Sequence, residues 1–348
     1  MRTILHLIPA WIAPSEPGAE CNRRRSDAEL LAFRDLSLLD TDRRHELLFL
    51  GGSEEARAAG ALGAPISYRV APLLKRAGLA SRAIENVLDD HDPDAVVSWD
   101  PSFGSRLMRL RGLPTRVARV DLSGASIDAR GVNPETGEAT RSRSSLRPAP
   151  IGPGPVRARQ ELRERLKIEV GERVVGVLSE GPDAAITLAF SAGMLNLGSL
   201  PCTGLVRRGI PGLERARRHV REGGYLRRMI VVGPPVMRFL PALDAALMPM
   251  SVPPAFDALC VLRSVLATGL PVVTAAGPET APLFPGEASV CLARSSEPPH
   301  LAGALSALLA NPGVLEGARA ALEEAGRQRA EPLARQVAAS LSDLGGLA

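Results

Sequence analysis

The chain is predicted to be an α/β protein built from two Rossmann-like, doubly wound domains facing a cleft, and three observations carry that prediction. The first is the stretch from Asp244 to Thr274. An apolar run ends at Met250, a Pro-rich turn follows, and a helical pattern places Leu259, Leu262, Val265 and Leu266 on one side. Gly269 stops that helix and Pro271-Val-Val opens another strand, so the unit is strand, helix, strand and requires a parallel sheet. The second is the recurrence of short apolar runs between helical patterns along the whole chain. The third is the length, 348 residues, which suits two cores better than one.

The predicted strands of the first half are Thr3–Ile8, Glu46–Leu50, Ile66–Val70, Asp94–Ser98 and Thr115–Val120. Those of the second half are Arg173–Leu178, Thr203–Val206, Met229–Val232, Ala246–Met250, Pro271–Thr274 and Ser289–Leu292. Many are continuous apolar runs without alternation, as strands covered on both faces by helices require. Between the halves, Ser123–Pro155 turns rich in Gly, Ser, Pro and Arg, with a turn at Asn133–Gly137 and a stiff Pro148–Pro155 tail. It reads as a connector. The expected domains are residues 1–150, residues 151–330, and a last helical segment, 331–348, that returns to the first domain. Helical patterns also mark Val156–Lys167, the region of Leu301, Leu305 and Leu308, and that of Leu333, Val337 and Leu341.

Composition excludes several classes. The chain is 45% hydrophobic, 23% charged and only 3% aromatic, so its core is aliphatic. All but two of its 42 basic residues are Arg, yet 38 acids bring the net charge to +4. No Arg cluster is interleaved with stacking aromatics, which argues against nucleic acid. Cys21, Cys202, Cys260 and Cys291 form no C-x-x-C pair, so neither a zinc site nor a disulfide framework is indicated and a reducing compartment fits. The apolar start is broken by His6 and Pro9 and reads as a first strand rather than a signal peptide. No 18-residue apolar segment is present. The five histidines show no metal-binding spacing, and no nucleophile elbow, Walker loop or complete G-x-G-x-x-G occurs.

Several segments, in order, resemble the glycosyltransferases of GT-B fold, family 4 type. Ile4–Pro9 with Gly18-Ala-Glu20 is similar to the opening strand and Gly-rich loop. Arg43–Leu50 and Asp92–Val97 are similar to the next strands, Arg159–Gly171 to the helix that opens the second domain, and Leu301–Pro312 to the tail. Ala267-Thr-Gly-Leu-Pro-Val-Val273 with Gly277-Pro-Glu279 resembles the sugar-nucleotide half. The resemblance implies transfer of a sugar from a nucleotide-sugar, with retention and without a metal or other cofactor. The partners would be that donor and a glycan, lipid-linked or small-molecule acceptor. A peripheral membrane surface is a further partner class, nucleic acid is none, and the implied setting is cytoplasmic.

The departures concern the chemistry. The family's two Glu positions fall here on Phe256 and Ser264. The loop Ser179–Ala184, where a basic pair normally clamps the donor diphosphate, holds two acids and no base. Arg119–Ser123 lacks the expected His. Charge grows on the departing diphosphate, so positive groups or helix amides must meet it there. Arg207 and Arg208, after the second strand of the second domain, are substitute candidates; a surface role is the alternative. Gly277 would let backbone approach a phosphate, or is a plain turn Gly. Glu279 would bond a sugar or ribose hydroxyl, or is a solvated carboxylate. Asp257 would replace the first Glu, or caps its helix. Gly18 and Glu20 would face the interdomain cleft on the acceptor side, or belong to a plain turn. No catalytic residue is assigned, and restoring a carboxylate at Ser264 is expected to raise donor affinity if the ancestral pocket persists. The rival function is a catalytically impaired GT-B module that binds a sugar nucleotide, a glycan or a protein. An unrelated two-Rossmann protein, epimerase-like or of periplasmic-binder type, is the remaining alternative.

Overall fold

The computed structural model describes residues 2–9, 32, 34–36, 38, 43–50, 67–71, 88, 93–99, 116–121, 125–132, 139–149, 157–178, 183–210, 212–223, 228–233, 236–250, 256–327 and 332–342. The chain divides into two compact units, Met1–Pro148 with Glu331–Ala348, and Ala149–Ala330.

The first unit holds a seven-stranded sheet of order β3-β2-β1-β4-β5-β6-β7. Its strands are β1 (Arg2–Pro9), β2 (Arg43–Leu50), β3 (Ser67–Ala71), β4 (Ala95–Ser98), β5 (Arg116–Asp121), β6 (Ser126–Val132) and β7 (Ala139–Ser145). β1 to β5 pair in parallel, whereas β5, β6 and β7 are antiparallel neighbours. Ile4, Leu5, Leu7, Val96 and Val97 are all but inaccessible, as the central strands of a sheet covered on both faces require.

The structure corrects the connector. Most of the stretch from Ser126 to Ser145 is an antiparallel hairpin extending the sheet, not irregular chain. Charge hid it from a hydrophobic reading. Asp128, directly opposite Arg119, accepts from that residue at 3.3 Å and from Arg141 Nη2 at 2.8 Å. The Arg141 hydrogen bond, with the charges of Arg141, Arg119 and Arg143, holds the Asp128 carboxyl below its ordinary value. The expected turn at Asn133–Gly137 lies outside the described residues. Helix α7 (Leu333–Ser342) lies against this part of the same unit. There Ser144 Oγ and Ser340 Oγ are 2.6 Å apart, and Gln336 exchanges two hydrogen bonds with the Arg147 backbone.

The second unit is an all-parallel sheet of order β10-β9-β8-β11-β12-β13. The strands are β8 (Arg173–Val177), β9 (Cys202–Arg207), β10 (Met229–Val232), β11 (Ala245–Met248), β12 (Val272–Ala275) and β13 (Leu292–Ala293). The helices are α1 (Arg159–Arg165), α2 (Ala184–Leu197), α3 (Leu213–Gly223), α4 (Phe256–Leu266), α5 (Pro298–Ala310) and α6 (Pro312–Arg327). The strand expected over Ser289–Leu292 is mostly a 3-10 helix, Gly286–Cys291, leaving two residues to pair with β12. Gly286, at φ +53°, turns the chain into that helix, so the apolar Val290 and Cys291 signal packing rather than extension.

Asp244, just before β11, fastens α1 to this sheet. Its carboxylate accepts from the Val174 amide at 2.8 Å and from Arg159 at 2.7 Å, with Arg163 at 3.4 Å. Both arginines also donate to carbonyls of the 241–243 stretch. A buried carboxylate needs such partners, since alone it would be costly to desolvate.

Candidate functional site

In both sheets the strand order reverses beside the first strand, between β1 and β4 in one and between β8 and β11 in the other. Open α/β sheets bind ligands outside the carboxyl ends of their strands at that reversal. In the second unit α2 and α4 begin after β8 and β11, so their amino ends, where amides carry partial positive charge, flank it. Asp183 stands at the start of α2 without a side-chain cap bond, and the first turn carries no acid.

The predicted donor residues fall along this edge. Arg207 ends β9 and is 5% exposed, whereas Arg208, the next residue, is exposed. Arg208 stands in the turn that follows the strand, and with one side chain buried and the other exposed the two arginines do not act as one fork. Gly277 and Glu279 follow β12; Glu279 is exposed, and the Gly277 carbonyl accepts from the Thr280 and Ala281 amides. A Cβ at 277 would meet only Thr280 Oγ1 at 3.5 Å and Glu279 Oε2 at 3.9 Å, so the turn itself does not demand glycine. Between the ends of β9 and β12 lie two strands, a span of about 14 Å at the usual strand spacing. Asp257 is in the first turn of α4. Gly18 and Glu20 lie outside the described residues.

Phe256 and Ser264, where the resemblance places two carboxylates, are core positions. Phe256 is 7% exposed and Ser264 2% exposed. The Ser264 hydroxyl donates to the Cys260 carbonyl at 2.6 Å, four residues back in the same helix. Arg119, in the segment lacking the expected His, is engaged with Asp128. Among the described residues no three His, Cys, Asp or Glu side chains gather in a metal-binding group.

A buried network in the first unit was not foreseen. The Trp99 indole donates to His6 Nδ1 at 3.0 Å, and His6 Nε2 lies 2.9 Å from His45 Nδ1. An indole nitrogen only donates, so His6 Nδ1 accepts and the neutral ring carries its proton on Nε2, directed at His45. Burial, and then the neighbouring His45, lower the His6 value well below 6.5. The two histidines are 39 residues apart, and only the β1–β2 register, with Ile4 opposite His45, brings them together.

Two Rossmann-like units, one sheet all parallel and the other parallel from β1 to β5 with an antiparallel extension, make a GT-B-like fold. No family model and no curated protein matches the chain. Solved structures do. Sucrose-phosphate synthase from Thermosynechococcus elongatus superposes with a TM-score of 0.62 at 11% identity, over 99% of each chain. HepE from Anabaena, in complex with UDP-glucose, gives 0.59 at 13% identity over 99% of this chain and 100% of its own. UDP-GlcNAc 2-epimerase from Neisseria meningitidis, bound to UDP-GlcNAc, gives 0.51 at 11% identity over 98% of this chain and 100% of its own. At such identities the likeness is one of fold.

Proposed function

We propose that this protein binds a nucleotide-sugar at the carboxyl edge of its second sheet and transfers the sugar to an acceptor, as a metal-independent, retaining glycosyltransferase. The observation that carries this is the placement of Arg207, the amino ends of α2 and α4, and Gly277 with Glu279 along one edge, centred on the strand reversal. The sugar–oxygen bond to the diphosphate breaks, and the diphosphate departs with the electron pair. Arg207 and the helix amides would meet that growing charge. The acceptor hydroxyl oxygen forms the new bond, and its proton passes to the departing diphosphate oxygen. Glu279 would hold a donor hydroxyl. That structural neighbours include proteins solved with UDP-glucose and UDP-GlcNAc supports the donor class. A cytoplasmic setting goes with this function, and the described cysteines, Cys202, Cys260 and Cys291, are free thiols.

A second function, a GT-B module that binds without turnover, is favoured by one observation. Phe256 and Ser264 are packed into the core, so no carboxylate stands where the resemblance would place the ribose-binding and sugar-binding pair. Calorimetry with UDP-sugars together with an assay of released UDP separates the two: binding with turnover supports the transferase, and binding without turnover over a panel of acceptors supports the module.

A further inference from the structure

The outer surface of the second unit carries an uncharged stripe beside a row of arginines. α2 packs against α5 on one side and α3 on the other, so it is the middle helix of its layer. Over their 14 and 13 residues α2 and α5 contain no Asp, Glu, Lys or Arg, in a chain in which 23% of residues are charged. On α2, Phe190, Met194 and Leu197 are 41%, 42% and 66% exposed, and they follow one another at helical spacing along one ridge. The outward positions of α5, Gly303, Ser306, Ala307 and Ala310, are small and exposed, so the ridge stands proud of its neighbour. Phe190 meets the His219 ring of α3 with centroids 4.1 Å apart, which ties the ridge to the basic helix. On α3, Arg215, Arg217, Arg218 and Arg221 are exposed; Glu214 is paired with Arg217, and Glu222 is the remaining acid.

We infer that this face docks on an anionic lipid surface, with Phe190, Met194 and Leu197 entering the headgroup layer and the α3 arginines meeting lipid phosphates. Charge selects this occupant over a second copy of the chain. A copy would bring α2, α5 or α3 against the arginines, and these supply no carboxylates beyond Glu214 and Glu222. No single described helix is long and apolar enough to cross a membrane. α2, at 14 residues, is about 21 Å long against a hydrocarbon core of about 30 Å, so it lies along the surface. The inference does not depend on the donor site, and it supplies a place at which a lipid-linked acceptor would be met.

The test is co-sedimentation of the full chain with phosphatidylcholine vesicles with and without phosphatidylglycerol at physiological salt. We expect binding to the anionic vesicles, weakened about tenfold or more by the double variant Met194→Glu, Leu197→Glu and several-fold by Arg215→Gln with Arg218→Gln. Both variants change exposed residues, and unaltered melting verifies their folding. UDP-glucose affinity should be the same in parent and variants, which keeps this test separate from that of the donor site. Absence of binding to anionic vesicles overturns the inference, as does equal binding by the double Glu variant. A parent dimer in sedimentation equilibrium that the Glu variant dissociates also overturns it, by giving the face to a second copy.

Discussion

Ser264 donates its hydroxyl to the Cys260 carbonyl at 2.6 Å, so the position that aligns with the family's second Glu is turned inward on its own helix. This reverses what the resemblance alone leads one to expect of Ser264→Glu. A carboxylate there would enter the core without a partner and cost about 3 kcal/mol or more, or roughly 6–12 °C of melting temperature. Ser264→Ala should cost only about 1 kcal/mol. Thermal melts of the two variants check this. A Glu variant as stable as the parent, with tighter donor binding, would show that an open ancestral pocket remains.

The His6–His45–Trp99 network predicts acid sensitivity. The folded His6 value is lowered, so the unfolded chain binds more protons below about pH 6.5. Stability from this source is intact above that pH and falls as pH drops below it, by up to about 1.4 kcal/mol per pH unit, until the folded value is reached. Urea denaturation at pH 7.5 and 5.5 should show the loss, and His6→Asn, which keeps an acceptor for Trp99, should flatten it. An unchanged slope in His6→Asn would assign the sensitivity to other groups.

The β6–β7 hairpin predicts slow amide exchange within Ile127–Gly131, which hydrogen-bonded strands protect and a loose connector would not. Replacing Asp128 by Ala should raise exchange there, because Arg119 and Arg141 lose a shared acceptor. Hydrogen exchange read by mass spectrometry gives both answers. Full exchange of this stretch within seconds in the parent would contradict the pairing.

What the sequence made legible follows from what stabilises each element. Strands such as Ala245–Met248 and Val272–Ala275 are buried on both faces, and continuous apolar runs announce them. β7 reads Ala-Thr-Arg-Ser-Arg-Ser-Ser, a polar edge stitched by cross-strand charge, so the same criterion passed over it. At the site, Arg207 and Arg208 are adjacent in sequence and look like one basic pair, yet one is buried and the other exposed. His6 and His45 lie 39 residues apart, and their meeting depends on strand register, which no local pattern displays.

Asp244 should be the residue on which the second unit is most dependent among its charges. Asp244→Ala leaves the Val174 amide without its acceptor and removes the carboxylate that balances Arg159 and Arg163, which keep only backbone carbonyls, at a cost of about 3–5 kcal/mol. Arg159, whose side chain is 44% exposed, should cost only about 1 kcal/mol when replaced by Ala. Urea denaturation of the full chain ranks the two, and equal costs would argue against a network centred on the carboxylate.

The most direct test is calorimetry of the full chain with UDP-glucose and UDP-GlcNAc, parent beside Arg207→Ala and Arg208→Ala. Without a basic pair after β8, we expect weak binding, at about 100 μM or weaker. Arg207→Ala should weaken it at least about fivefold, the loss of one charge-assisted contact to a diphosphate, while Arg208→Ala changes it less than about twofold. No heat of binding with either nucleotide-sugar, or equal affinity in parent and Arg207→Ala, would contradict a donor site at the carboxyl edge of the second sheet.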